Sequence, residues 1–377
     1  MRLLFIIRSL ANAHGVERTL IDKVNYLADH GHEVTMVTYE QGSHKYAFSV
    51  NPHVDCIDLD CRYFKLYGLP ILRRLYEGFK MKRRFKDKIH ALVETKQPDV
   101  VISPTYTVEY MKAVISLKSK TRVILEAHSP FVHDMKSGGV MNYIKMYLLL
   151  QTIKRCDLLI ALTQGDAKCW REHVKNVVVI VNPVSDYPEV IDDEPKITGR
   201  IVSMGRLQPQ KRFDRLIDAF SLIADKYPGW FIDIYGEGNE RQMLEDLIKS
   251  HGLVGRVHLK GESSNVFTEY KRSQFFAFSS DTEGFGLVLI EAMACGIPAV
   301  SVNCPFGPSE IIEDGVTGLL TKMNANDLAA KMEWMITHEA ERQEMGARAR
   351  KAAARYQIQV VMKDWEKAYA SELGCSI

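Results

Sequence analysis

Along the 377-residue chain, short runs of β-branched and aliphatic residues alternate with longer stretches whose apolar positions recur at helical spacing. The short runs predict strands buried on both faces, the longer ones amphipathic helices, and their alternation predicts βαβ units and parallel sheets. In the first half the predicted strands are residues 3–9, 33–39, 99–104, 121–129, 157–163 and 176–184. The stretch "SDYPEVIDDEPKITG" at 185–199 is acidic, proline-bearing and aperiodic, which marks a linker. A second series follows at 200–207, 230–238, 256–262, 275–280, 299–304 and 317–321. Helices are predicted between these strands, such as 212–227 and 239–252, the latter closed by Gly252. The reading is an α/β fold of two Rossmann-like doubly wound domains facing across a cleft. They cover residues 1–185 and 200–355, joined by a linker at 186–199, and a C-terminal helix at 356–374 packs back on the first domain. Ligands of such sheets bind beyond the carboxyl ends of the strands, so two facing domains suit an enzyme with two substrates.

Composition agrees with a folded, water-exposed chain: 46% of residues are apolar and 25% charged. No apolar run approaches the roughly 18 residues that span a bilayer. The start, "MRLLFIIRSLANAHG", resembles a signal peptide only superficially, because its short apolar run passes directly into a glycine turn and a helix. Seven scattered cysteines at 56, 61, 156, 169, 295, 304 and 375 lack metal-ligand spacing and fit reduced thiols in a cytosolic protein. Cys56 and Cys61, at an acidic strand end, make a poor metal site.

Charge changes the picture more. The whole chain carries +2, yet residues 62–88, "RYFKLYGLPILRRLYEGFKMKRRFKDK", hold ten Lys/Arg and two acids. Interleaved with Tyr, Phe, Leu and Ile, this segment has the makeup of an interfacial helix on anionic lipid. A solvated basic helix face and a nucleic-acid patch are the competing readings, and the apolar residues running alongside the charges favour the membrane surface. The expected location is therefore cytoplasmic and peripheral, on the inner face of the plasma membrane, with no nucleic-acid partner.

Two stretches carry candidate chemistry. In "SMGRLQPQKRFDRL", Gly205 ends a strand, and Arg206 and Lys211 lie beyond its carboxyl end, where a guanidinium fork and an ammonium point charge can hold a diphosphate. A solvated basic turn is the plainer alternative. In "SSDTEGFGLVLIEAMACG", a loop with Glu283 leads into a helix that carries Glu291 one turn in. The amides of Gly286, Leu287 and Val288 are expected to be free for an anion at the helix start, and Gly284 and Gly286 to permit close backbone approach. A carboxylate that accepts two hydrogen bonds from vicinal hydroxyls is an efficient sugar anchor. As ordinary surface acids, the pair would leave a carboxylate in mid-run of "LVLIEAMA" unexplained.

The segments "GRLQPQK", "YGEGNERQMLE", "TEGFGLVLIEAMACGIPAV" and "GPSEIIEDGVTGLL" resemble the retaining GT-B glycosyltransferases of family 4. The likeness extends from "HGVERTLIDKVNYLADHGHEVTMVTY" to the final helices, and "CPFGPSEII" is most similar to members of bacterial surface-polysaccharide and lipid-linked-oligosaccharide synthesis that use UDP-sugars. The resemblance implies transfer of a hexose or N-acetylhexosamine from a nucleotide-sugar to a glycan or polyprenyl-diphosphate-linked acceptor, with no cofactor and no metal. It implies that Arg206 and Lys211 hold the donor diphosphate, that Glu291 binds the ribose hydroxyls, and that Glu283 contacts the donor sugar and orients the basic residues. The amides of Phe285, Gly286, Leu287 and Val288 would meet sugar hydroxyls and phosphate, and the backbone from Glu262 to Asn265 would read the base. Gly15 would approach the donor phosphate, and His128, in "EAHSP", would sit near the reacting carbon or the acceptor. This chain has His14-Gly15 where many relatives have Gly-Gly, which narrows that turn. Neither "DLD" at 58–60 nor the Asp233 strand offers a plausible Mg²⁺ pair. A nucleotide-sugar epimerase of the same architecture, or a nucleotide-sugar-binding protein without turnover, is the rival reading.

Overall fold

The computed structural model describes residues 1–12, 15–105, 110–131, 139–185, 187–188, 195–263 and 265–371. The chain divides into two compact units, one of Met1–Pro183 with Ile358–Ile377 and one of Val184–Gln357.

The first unit is built on a seven-stranded parallel sheet of order β3-β2-β1-β4-β5-β6-β7. Its strands are β1 (Arg2–Ile7), β2 (Glu33–Thr38), β3 (Asp55–Asp58), β4 (Val100–Pro104), β5 (Arg122–Ala127), β6 (Leu158–Ala161) and β7 (Val177–Val179). The central strands are buried on both faces, which is why their sequences are nearly unbroken apolar runs. One strand here was not expected, and the extent of another is corrected. β3, "DCID", is polar and half-buried at the sheet edge, so it carries no apolar signature. β7 forms only three residues of the expected nine, and the chain beyond it leaves the ladder toward Pro183.

Helix Ile358–Ala370 belongs to this first unit although it follows the whole second unit in sequence. It is held by Trp365 Nε1 donating to the Val181 carbonyl at 3.0 Å and by Arg122 Nη1 donating to the Ala368 and Tyr369 carbonyls, each at 3.0 Å. The ring edge of Phe5 on β1 meets Tyr369 at a centroid distance of 6.0 Å. The basic segment forms a short 3₁₀ turn, Tyr63–Leu66, and then a 26-residue helix, Ile71–Lys96. That helix is anchored by Phe85, Ile89 and Val93 in its second half. Its first half leaves Ile71, Leu72, Leu75, Tyr76 and Phe79 between 66% and 83% exposed.

The second unit carries a six-stranded parallel sheet of order β10-β9-β8-β11-β12-β13. The strands are β8 (Arg200–Met204), β9 (Phe231–Tyr235), β10 (Val257–Gly261), β11 (Phe275–Phe278), β12 (Ala299–Val302) and β13 (Gly318–Thr321). The strand order reverses between β8 and β11, which pair directly through Phe275 with Ile201 and Phe276 with Val202. Connections on either side of such a reversal leave toward opposite faces and open a crevice at the strands' carboxyl ends. The helix expected over 212–227 is regular only for Phe213–Ser221, because the chain then breaks into turns.

Candidate active site

The reversal between β8 and β11 brings together two loops that lie about seventy residues apart in sequence. The turn after β8 carries Arg206 and Lys211, and the loop after β11 carries Asp281 and Glu283. Lys211 Nζ donates to Glu283 Oε1 at 2.7 Å, with both side chains only slightly exposed. The two loops are stitched by backbone as well: the Asp281 amide donates to the Gln210 carbonyl at 2.9 Å, and Ser279 Oγ donates to the Lys211 carbonyl at 2.8 Å. Arg212 takes up the left-handed conformation at φ 51° and donates to both Asp214 and Asp281, while Arg215 donates to the Ser279 carbonyl and to Asp281. This lattice fixes the base of the Lys211 turn. Arg206 differs: its side chain is exposed and has no hydrogen-bond partner among the described residues, so it is available to an incoming anion.

Helix Leu287–Ala294 starts at the end of the second loop. Its cap, Gly286, stands at φ 99°, and no side chain caps the first-turn amides. Their donors and the positive end of the helix dipole suit a phosphate or a sugar hydroxyl. Leu287 and Val288 are half-buried in this first turn, and Phe285 is buried with its ring edge against Tyr356. Glu291 is 6% exposed, and the Tyr270 hydroxyl lies 3.4 Å from its Oε2. Gly307 explains how the loop is held: at φ 94° its missing Cβ would stand 2.2 Å from the Phe285 carbonyl oxygen. The "GPSEI" segment can therefore lie against the Gly-Phe-Gly turn only with glycine there.

Glu262 follows β10 and is exposed. Asn265 has a structural duty, since its side chain caps helix Val266–Lys271 by accepting from the Thr268 amide at 3.1 Å. Ser264, between them, lies outside the described residues.

Gly15 and His128 belong to the first unit. Gly15 is the exposed first residue of helix Gly15–Asp29, and a Cβ there would meet nothing within 4 Å. His14 lies outside the described residues. His128, one residue beyond β5, is 8% exposed, and its Nε2 lies 2.8 Å from Glu126 Oε2. Glu126 also accepts from Lys23 and Tyr369. Sequence reasoning missed all three of these partners. The available signals were an acid inside the apolar strand "RVILEA" and a lysine on the buried stripe of the first helix, among Leu20, Ile21 and Val24.

The described cysteines form no disulfide. Burial pushes the thiols of Cys156, Cys295 and Cys304 up to about 12, so all three stay protonated at neutral pH. Among the described residues, no helix is long and apolar enough to cross a membrane.

The sequence matches the family described as Glycosyltransferase Family 4 over residues 13–186 and the one described as Glycosyl transferases group 1 over residues 177–352. An uncharacterized glycosyltransferase of Haemophilus influenzae is 27% identical over 96% of this chain and 98% of its own. An N-acetyl-D-galactosaminyltransferase of Campylobacter jejuni, named for an undecaprenol-diphosphate-linked acceptor, is 26% identical over 98% of both chains. Among solved structures, the Anabaena protein HepE in complex with UDP-glucose is 19% identical with a TM-score of 0.75, over 98% of this chain and all of that one. These neighbours share the GT-B fold of two Rossmann-like domains. The epimerase reading gains no support from them.

Proposed function

From the premise that the chain belongs to the glycosyltransferases of family 4, we propose that it transfers a sugar from a UDP-sugar, with retention of configuration and without a metal, to a glycan or polyprenyl-diphosphate-linked acceptor. The observation that carries this reading is the convergence, at the strand reversal of the second unit, of Lys211, Glu283, the free Arg206 guanidinium and the uncapped start of helix Leu287–Ala294. A diphosphate fits that charge pattern. Glu291, buried one turn into the helix, would take the ribose hydroxyls. Asn265 and the backbone at Glu262 would border the base, and the amides of Phe285, Gly286, Leu287 and Val288 the sugar and phosphate.

In the transfer, the anomeric C–O bond to the diphosphate breaks and a bond to the acceptor oxygen forms on the same face. The leaving phosphate oxygen takes the acceptor proton. Negative charge grows on that phosphate, where Arg206, Lys211 and the helix dipole stabilise it in place of a divalent cation. Glu283 would hold the Lys211 ammonium in place and contact the sugar ring. The first unit would take the acceptor, with His128 and Gly15 contributing to the reacting site.

The same reading extends to the membrane. On helix Ile71–Lys96, Ile71, Leu72, Leu75, Tyr76 and Phe79 fall within an arc of roughly 140° at 100° per residue. Arg73, Arg74, Lys80, Lys82, Arg83 and Arg84 surround that arc or continue beyond it, the makeup of a helix lying on anionic lipid. A polyprenyl-linked acceptor would be met at that surface.

Thermal unfolding in the presence of UDP, GDP and ADP and their sugar conjugates, with EDTA throughout, tests the donor assignment. A rise in melting temperature specific to the uridine compounds is the expected result, since ligand bound to the native state raises stability. If none of the nucleotides shifts the transition with or without Mg²⁺, the assignment of the second unit to the donor fails. A shift only with Mg²⁺ would overturn the metal-free part alone.

A further inference from the structure

The first unit contains a polar network that the donor site does not use. Lys23 Nζ, fully buried on helix Gly15–Asp29, donates to Glu126 Oε2 at 2.7 Å. His128 Nε2 lies 2.8 Å from the same oxygen, and the Tyr369 hydroxyl donates to Glu126 Oε1 at 3.0 Å. Lys23 Nζ also stands 3.6 Å from the centroid of the Trp365 ring, a second electrostatic partner for the ammonium. The first helix, β5 and helix Ile358–Ala370 thus converge on one carboxylate that is 1% exposed.

Charge balance decides the state of His128. The Lys23 cation and the Glu126 anion already cancel, and a second cation on the imidazole would leave a net buried charge with no counterion, which is costly. A neutral ring that donates from Nε2 carries its lone pair on Nδ1. That nitrogen is buried and has no hydrogen-bond partner among the described residues. It sits just past the carboxyl end of β5, the end at which doubly wound sheets present their ligands. A buried acceptor left without a donor is unfavourable, and a substrate hydroxyl would satisfy it.

We infer that Glu126, balanced by Lys23 and anchored by Tyr369, is a positioning residue that holds His128 in its Nε2–H tautomer, so that Nδ1 accepts a hydrogen bond from a hydroxyl of the reacting sugars. The inference rests on the assignment of His128 to the site proposed above. It adds to that assignment which ring nitrogen meets substrate and what keeps it in that state.

Long-range ¹H–¹⁵N correlation spectra of the full-length labelled protein near neutral pH test it directly, with the His128 signal identified by its loss in His128→Asn. The expected pattern is a protonated Nε2 and an unprotonated Nδ1; a proton on Nδ1 overturns the inference. Turnover provides the second test, using whichever of UDP-glucose, UDP-galactose, UDP-N-acetylglucosamine or UDP-N-acetylgalactosamine the wild-type protein hydrolyses fastest. Lys23→Met with Glu126→Leu removes the ion pair as a unit and the acceptor for Nε2–H with it. Turnover is expected to fall about 30-fold, while the stabilisation by UDP is retained. Lys23→Met with Glu126→Gln keeps a carbonyl oxygen facing Nε2 and is expected to restore turnover about tenfold over the leucine double variant. Turnover of the leucine variant within about threefold of wild type, alongside a large loss in His128→Asn, would overturn the positioning role and leave the His128 assignment standing. Wild-type turnover in His128→Asn would instead remove His128 from the site, and the inference with it. If neither double variant folds, the tautomer read from the wild-type spectrum decides.

Discussion

Lys211 and Glu283 form an ion pair 2.7 Å apart at a site proposed to receive a diphosphate, so the carboxylate holds the ammonium where the leaving phosphate would need it. Lys211→Ala should lower kcat/KM for the donor by about 10²- to 10³-fold, the usual loss when one group that stabilises developing charge is removed. Melting of the free protein should fall as well, because the variant leaves the mostly buried Glu283 carboxylate without its partner. Steady-state kinetics and thermal unfolding check the two effects, and an unaltered KM and kcat would take Lys211 out of the site. Gly307→Ala acts on shape. Its new Cβ, 2.2 Å from the Phe285 carbonyl oxygen on a left-handed backbone, must displace the Gly-Phe-Gly turn. A stability loss of about 1–3 kcal/mol, read by denaturant unfolding, should come with weakened UDP binding. At this scale the sequence was legible where residue type and spacing single out candidates, as at Arg206, Lys211, Glu283 and Glu291 of the proposed donor site. It was illegible at Lys23, Glu126 and Tyr369, whose meeting depends on contacts 103 and 243 residues apart along the chain.

Among the described elements, helix Ile71–Lys96 has an exposed surface that departs from ordinary solvation. Its first half exposes five large apolar side chains while its second half is anchored through Phe85, Ile89 and Val93. Changing Ile71, Leu75 and Phe79 to Ser should leave melting nearly unchanged, since all three are largely exposed, and should reduce binding to phosphatidylglycerol vesicles at least about tenfold. Reversing the charge of Lys82, Arg83 and Arg84 should abolish the preference for anionic over phosphatidylcholine vesicles, at about 1 kcal/mol for each basic residue near the surface. Co-sedimentation with both lipids measures the two effects, and binding unaltered in both variants would rule this helix out as the membrane contact. Most strands could be read in advance because burial on both faces demands continuous apolar runs. β3 could not, because an edge strand such as "DCID" needs only backbone pairing with β2 and places few demands on its side chains. The opposite error, an overlong helix at 212–227, arose because apolar periodicity continues past Ser221 through turns that bury Ile223 and Ala224, where three-residue turn bonds such as Lys226 to Ile223 and Tyr227 to Ala224 replace a continuous helical ladder.

For the whole molecule, the Glu126 network ties the start of the chain to its last helix. Burial alone would raise the Glu126 pKa, but the Lys23 ammonium and the hydrogen bonds donated by His128 and Lys23 outweigh it and lower the group from 4.5 to about 2. The folded protein therefore binds fewer protons than the unfolded chain in this range. Glu126 contributes stability that is fully present above about pH 4.5 and is lost as pH falls toward 2. The Lys23→Met, Glu126→Leu variant should show a shallower loss of stability over that window than wild type, measured by denaturant unfolding at stepped pH; equal slopes would contradict the shift. What the sequence by itself determined is the class of sheet, the two series of strands, the family and the residue types of the proposed donor site, because apolar periodicity and short motifs are local properties. Only the tertiary structure decided the strand order that sets the β8 turn beside the β11 loop, whereas the return of helix Ile358–Ala370 to the first unit was already expected from the sequence. The tertiary structure also decided the buried ion pair behind His128. Each of these depends on which distant segments share a surface, and no local pattern encodes that pairing.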